Sequence, residues 1–116
     1  MSLNRKQVEF TRTLAYFLQW CFENDFEVIG AELYRTPAQA REYAQQGRGI
    51  VNSVHTKKLA IDLFIFDKAT GKVTWDAERY APLGAKWKKM HPLARWGGDF
   101  RNSDAVHFSF EHNGVA

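Results

Sequence analysis

Four side chains in this sequence have the types and spacing needed to hold a metal ion and use it. His55 lies in a polar loop, Asp62 follows in an apolar strand pattern, and Asp104 and His107 come near the last residues. Two histidines and one carboxylate with an open fourth position are a usual ligand set for catalytic zinc. A further carboxylate nearby can act as a general base. The four residues are therefore compatible with metal-assisted hydrolysis.

Each of these residues also has an ordinary structural explanation. Asp62 can form a salt bridge, because a carboxylate in an apolar strand needs a partner. His107 can be a hydrogen-bonded strand residue, and Asp104 belongs to an Asn-Ser-Asp run that is common in turns. Residue types and spacing alone leave both interpretations open.

Two predicted strands would position these side chains. In residues 58–66 the apolar positions alternate so that Asp62 faces away from the Leu59 and Ile65 side. In residues 106–110 the same alternation turns His107 away from the core, so that it can meet Asp62 across a sheet. An extended chain from His55 to Asp62 would span roughly 23 Å. The chain must therefore double back around residues 56–58 if both bind one ion.

The remaining pattern predicts an α+β fold in which a small antiparallel sheet packs against helices. Thr36 and Pro37 have the types of an N-cap and first helical residue, and Asp76 is a second candidate cap. A polar loop is predicted over 47–57, a turn at Thr70-Gly71 and a loop at 96–99. The predicted helices cover residues 3–24, 37–46 and 77–90, and the additional strands cover 26–34 and 72–75. The apolar face expected for the first helix consists of Val8, Leu14, Phe17, Leu18, Cys21 and Phe22.

The composition of the chain limits the classes of protein to which it can belong. The chain has 116 residues, 45% hydrophobic and 25% charged, which predicts one globular domain over residues 1–116. No apolar run approaches the roughly 20 residues of a membrane span, and no signal-peptide pattern is present. We therefore expect synthesis in the cytoplasm and no membrane partner. The single cysteine excludes an internal disulfide and a multi-cysteine zinc cluster.

Several runs resemble a known family. The stretch from Ser53 to Leu63 resembles the Ser-x-His-(six residues)-Asp signature of zinc D-Ala-D-Ala carboxypeptidases and L-alanyl-D-glutamate endopeptidases, which include several phage endolysins. The run from Asp104 to His107 resembles the second half of that signature. Trp96-Gly97-Gly98 and the segment from Tyr34 to Arg48 resemble adjoining family segments. Lys58 is a departure, since many members have glycine three residues after the first histidine.

The resemblance implies a Hedgehog/DD-peptidase fold and assigns roles to individual residues. It implies that Zn²⁺ is bound by His55, Asp62 and His107, with Asp104 as catalytic acid and base. Arg35 is then a candidate contact for a substrate carboxylate, and Gln39, Arg48 and Ser53 are further candidates for the cleft. Arginine suits a carboxylate because its guanidinium offers paired N–H donors.

The implied function is hydrolysis of the peptide stem of bacterial peptidoglycan by a monomeric enzyme acting on the cell wall. We favour the L-Ala–D-Glu bond by analogy with phage lysis enzymes, and D-Ala-D-Ala carboxypeptidase activity is the alternative. Two other classes stay open: a nucleic-acid-binding domain and a catalytically inactive zinc-binding module. The net charge of +3 is compatible with an anionic polymer. The basic residues are nevertheless scattered among acidic ones, so we expect no nucleic-acid partner.

Overall fold

The sheet is organised around one long strand. The structure is a computed structural model that describes residues 1–116. Strand β2 (Ala60–Asp67) pairs with β1 (Val28–Gly30), β3 (Lys72–Thr74) and β5 (His107–Phe110), and β4 (Ala94–Trp96) pairs with β5. All four pairings are antiparallel. The alternation predicted for β2 is confirmed, since Ile61, Leu63 and Ile65 are buried while Asp62 and Phe64 are partly exposed.

Three helices pack with this sheet, and their starts follow the predicted caps. They are α1 (Leu3–Glu23), α2 (Pro37–Gln45) and α3 (Ala77–Met90). Thr36 Oγ1 accepts a hydrogen bond from the Gln39 amide at 3.1 Å, and Asp76 Oδ1 accepts one from the Glu78 amide at 3.1 Å. Each side chain thus satisfies an amide that the first turn leaves without a partner.

The core is an aromatic cluster between helices and sheet. Trp87 of α3 contacts Phe10 and Phe17 of α1 and Phe108 and Phe110 of β5, at ring-centroid distances of 5.2–6.3 Å. Its indole nitrogen donates to the carbonyls of Arg95 and Ser109 at 3.0 and 3.1 Å. The buried ring therefore has its one polar atom paired, as burial requires.

The buried face of α1 differs in part from the prediction. Leu14, Phe17 and Cys21 are buried, whereas Val8 and Phe22 are 47% and 55% exposed. Phe10 occupies the core position instead, because the sheet and α3 contact the side of the helix on which Phe10 lies. No helix combines the length and the apolar character that crossing a bilayer requires.

Three segments differ in detail from the elements predicted for them. The strand predicted over 26–34 is only three residues long, and beyond it Ala31 and Glu32 keep two backbone hydrogen bonds with Asp62. Trp96, predicted in a loop, ends β4, and a 3₁₀ turn follows at Gly97–Asp99. The predicted loop 47–57 contains a second 3₁₀ turn at Val54–Lys57. These short elements depend on contacts with distant segments and have no periodicity of their own.

Candidate active site

The pairing of β2 with β5 brings two of the predicted ligands together. Asp62 lies directly opposite His107 in the register, and Asp62 Oδ1 is 3.5 Å from His107 Nδ1. The same oxygen is 3.5 Å from His55 Nε2. Two atoms that each lie about 2.1 Å from a tetrahedral ion are about 3.4 Å apart. One ligand atom from each of the three residues lies within 4.8 Å of the others, so the cluster has the dimensions of a metal site.

The chain doubles back between His55 and Asp62, as the metal hypothesis requires. The 3₁₀ turn Val54–Lys57 is capped by Ser53, whose Oγ accepts from the His55 amide at 3.2 Å. Lys58 then adopts the left-handed conformation with φ 58°, and the Leu59 amide returns to the Val54 carbonyl at 3.1 Å. Glycine adopts this conformation at low cost. Lys58 therefore preserves the reversal of the chain direction, although glycine, which many family members have here, adopts this left-handed conformation more easily.

The donor set fits a cation. Asp62 Oδ1 is buried and has no hydrogen-bond partner, although it faces both imidazoles. Burial opposes ionisation of Asp62, but the His107 and His55 imidazoles that face its carboxylate outweigh this effect and lower its pKa to about 2. An ionised, unpaired buried oxygen between two imidazole nitrogens is suited to bind a divalent metal.

The surroundings of the two histidines set which nitrogen is free to bind. His55 Nδ1 lies 3.3 Å from the Leu33 carbonyl, so it carries the proton and leaves Nε2 as the ligand atom. His107 offers Nδ1, and its Nε2 is buried without a hydrogen bond. The ring of His107 instead packs against Phe100, with ring centroids 5.6 Å apart. Packing therefore orients the second candidate ligand.

Asp104 lies beside the ligands and lines the same cleft. Its amide donates to the Gly97 carbonyl at 2.8 Å, and its own carbonyl accepts from the His107 amide at 3.1 Å. Desolvation and the negative charge of Asp62 raise the pKa of Asp104. A carboxyl group with a raised pKa beside candidate metal ligands is suited to accept and return a proton.

The cleft contains most of the other predicted residues. It has a volume of about 360 Å³, and its walls include Arg35, Arg48 and Ser53 together with Phe100 and Asn102. Arg35 and Arg48 both contact the Tyr43 ring, at 4.9 and 4.6 Å from its centroid. One end of the cleft therefore carries two guanidinium groups held by an aromatic ring.

Gln39 does not belong to this cleft. It lies in the first turn of α2, where its backbone amide donates a hydrogen bond to Thr36 Oγ1. It is not among the residues that line the cleft. In this part of the chain the residues that line the cleft precede α2, as Arg35 does, or follow it, as Arg48 and Ser53 do, and none lies inside the helix. The prediction that Gln39 contributes to substrate binding is therefore not supported by its position.

Glu32 is a site residue that the sequence did not reveal. Its Oε1 accepts from Arg35 Nε at 2.9 Å, contacts Arg35 Nη2, and lies 3.6 Å from His55 Nδ1. The only available signal was an acidic residue three positions before Arg35, which is common in any polar segment. The proximity of Glu32 to His55 depends on the fold. His55 contacts the carbonyl of Leu33, the residue after Glu32, and His55 and Leu33 are 22 positions apart in the chain.

A comparison with solved structures supports the fold. No protein-family model and no curated protein sequence matches this chain. Among solved structures, the L-Ala D-Glu endopeptidase ChiX of Serratia marcescens is similar, with a TM-score of 0.74 and 21% sequence identity. The match covers 89% of this chain and 78% of that one. The predicted α+β fold, with a small antiparallel sheet and helices, is confirmed by this likeness.

Proposed function

We propose that this protein is a zinc-dependent peptidase that hydrolyses the peptide stem of bacterial peptidoglycan at the L-Ala–D-Glu bond. The observation that carries the proposal is the cluster of His55, Asp62 and His107, with ligand atoms 3.5 Å from Asp62 Oδ1 and Asp104 in the same cleft. The similarity of the fold to that of an L-Ala D-Glu endopeptidase supports the choice of substrate.

The chemistry divides between the metal and the chain. Zinc, when bound by the three ligands, supplies a Lewis acid that activates water near neutral pH and polarises the scissile carbonyl. Asp104 accepts the proton of the attacking water and passes it to the leaving amine. His55 and His107 would each supply one imidazole nitrogen, and Asp62 would contribute the negative charge that offsets part of the cation's charge.

Substrate recognition is assigned to the basic end of the cleft. Arg35 and Arg48 provide paired N–H donors for a free carboxylate of the stem peptide, and Ser53 holds the turn that presents His55. A stem peptide carries such carboxylates next to small apolar residues. We expect the chain to act as a monomeric catalytic domain at the cell wall, as phage lysis enzymes do.

The decisive experiment measures peptide release from purified peptidoglycan. We expect the zinc-loaded wild type to release stem peptides whose new ends, identified by mass spectrometry, are L-Ala and D-Glu. Asp104→Ala should lower the rate by about 100-fold or more while zinc remains bound, since a general base contributes roughly that much. Asp99→Ala is the matched control, because Asp99 pairs with Lys88 at 2.6 Å and does not line the cleft.

Other outcomes would replace the proposal. Release of D-Ala alone would identify a D-Ala-D-Ala carboxypeptidase. Stable zinc binding without release from several wall types would favour an inactive zinc-binding module. Salt-dependent DNA affinity with no peptide release would favour a nucleic-acid-binding domain.

A further inference from the structure

The segment between β1 and α2 is joined to the metal-ligand cluster through its backbone. The Ala31 amide donates to the Asp62 carbonyl at 2.8 Å, and the Asp62 amide donates to the Glu32 carbonyl at 2.9 Å. The Arg35 amide donates to the His55 carbonyl at 3.2 Å. Segment 31–35 is therefore held in place relative to two of the three candidate ligands.

The Glu32 side chain extends this connection. One of its oxygens, Oε1, accepts a hydrogen bond from the Arg35 guanidinium. The same oxygen lies 3.6 Å from His55 Nδ1. The Arg35 side chain is 12% exposed and that of Glu32 is 28% exposed. Since both side chains are mostly screened from water, their interaction is stronger than that of an ordinary surface ion pair.

The carboxylate acts on His55 through charge. The Leu33 carbonyl accepts the Nδ1 proton at 3.3 Å, and the Glu32 carboxylate places a negative charge beside the same nitrogen. A carboxylate behind a metal-binding imidazole fixes its tautomer and raises its basicity, and losing such a partner lowers metal affinity by roughly 10–100-fold. Glu32 is placed to have this effect on Nε2, the ligand atom of His55.

The same oxygen fixes the direction of Arg35. It occupies the Nε and Nη2 side of the guanidinium, which leaves the N–H groups of Nη1 and the outer N–H of Nη2 for another acceptor. The Tyr43 ring lies against the guanidinium at 4.9 Å. Held by Glu32 on one edge and by Tyr43 on one face, Arg35 keeps a fixed pair of donors for a carboxylate in the cleft.

We propose that Glu32 is a positioning residue that couples metal binding at His55 to carboxylate recognition by Arg35. The proposal rests on the proposed function, because it takes a zinc ion and a substrate carboxylate as the two partners. In a peptidase with this arrangement, one partly buried carboxylate aligns the peptide's free acid with the metal site. Specificity for an anionic peptide then depends on Glu32 as well as on the arginines.

The test uses Glu32→Gln, which keeps the size of the side chain and removes its charge, in an Asp104→Ala background that binds peptide without turnover. Zinc affinity is measured by competition with a chromophoric chelator. Binding of a stem peptide with a free carboxylate and of its amidated counterpart is measured by calorimetry. We expect zinc affinity to fall roughly 10-fold and the preference for the free acid to fall by a similar factor. Glu27→Gln is the matched control, because Glu27 is 44% exposed and pairs only with Lys68.

Unchanged zinc affinity and unchanged acid preference in a variant with the wild-type melting temperature would overturn the proposal. A change in only one of the two quantities would overturn the coupling. Failure of the proposed function is separate: the wild type would then hydrolyse no stem peptide. In that case the zinc titration of Glu32→Gln alone decides whether the carboxylate supports His55.

Discussion

At the scale of single residues, Asp62 places a carboxylate that is ionised at neutral pH in an otherwise apolar strand. Its neighbours Ile61 and Leu63 are buried, and its side chain is 20% exposed. The two histidines keep it ionised, with a pKa near 2 against an ordinary value of 3.8. A group whose pKa is lower in the folded than in the unfolded state stabilises the fold above its unfolded pKa.

This behaviour predicts a pH dependence of stability in the metal-free protein. The contribution of Asp62 is fully present above pH 3.8 and is lost as the pH falls to about 2. The size of the shift corresponds to about 2 kcal/mol of unfolding free energy. Urea unfolding of dialysed wild type and Asp62→Asn should show a stability difference that changes by about this amount between pH 5 and pH 2. A difference independent of pH would contradict the assigned pairing.

At the scale of elements, the turn between β4 and β5 sets the position of Asp104. A Cβ atom on Gly97 would lie 2.1 Å from the Asp104 carbonyl oxygen and 2.8 Å from His107 Cβ. Glycine is therefore required for close approach of two backbones rather than for an unusual φ angle. This turn, which the sequence predicted as a loop, is the element that holds Asp104, the proposed base, beside the candidate ligand His107.

Gly97→Ala should displace Asp104 and His107 together. We expect a loss of about 1–3 kcal/mol of unfolding free energy, the usual cost of overpacking, and at least a roughly 10-fold fall in peptide release. Gly30→Ala is the control, since a Cβ at Gly30 meets nothing within 4 Å. Chemical unfolding and mass-spectrometric release assays measure both quantities. Full activity of Gly97→Ala would show that Asp104 does not depend on this contact.

At the scale of the whole molecule, the three candidate metal ligands come from three separate parts of the chain. His55 lies in a 3₁₀ turn, Asp62 in β2 and His107 in β5, and the aromatic cluster around Trp87 packs against the same β5. A metal that binds all three ligands binds only the folded chain. Its binding free energy therefore adds to the stability of the entire domain.

Zinc should raise the melting temperature in a ligand-dependent way. At 100 times the dissociation constant the stabilisation is about 2.7 kcal/mol, which corresponds to a shift on the order of 10 °C for a domain of this size. His107→Ala should lose the shift. His112→Ala should keep it, because His112 contacts Lys6 at 3.0 Å and lies outside the cleft. Circular dichroism melts with and without zinc measure it, and an equal shift in both variants would contradict the site.

The sequence by itself determined the helix starts, the faces of the two site strands and the residue types of the candidate metal cluster. Thr36 and Asp76 cap helices through amides two or three residues away, and the alternation in β2 depends only on neighbours along the strand. These are local interactions, and local interactions can be inferred from adjacent residues.

Only the tertiary structure decided how the distant segments meet. The register that places Asp62 opposite His107, the contact of Glu32 with His55, and the exclusion of Gln39 from the cleft all join residues far apart in the chain. The choice of Phe10 over Val8 for the core likewise depends on where α3 and β5 pack. No periodicity within a single segment encodes these pairings, because each is set by the balance of packing among several elements at once.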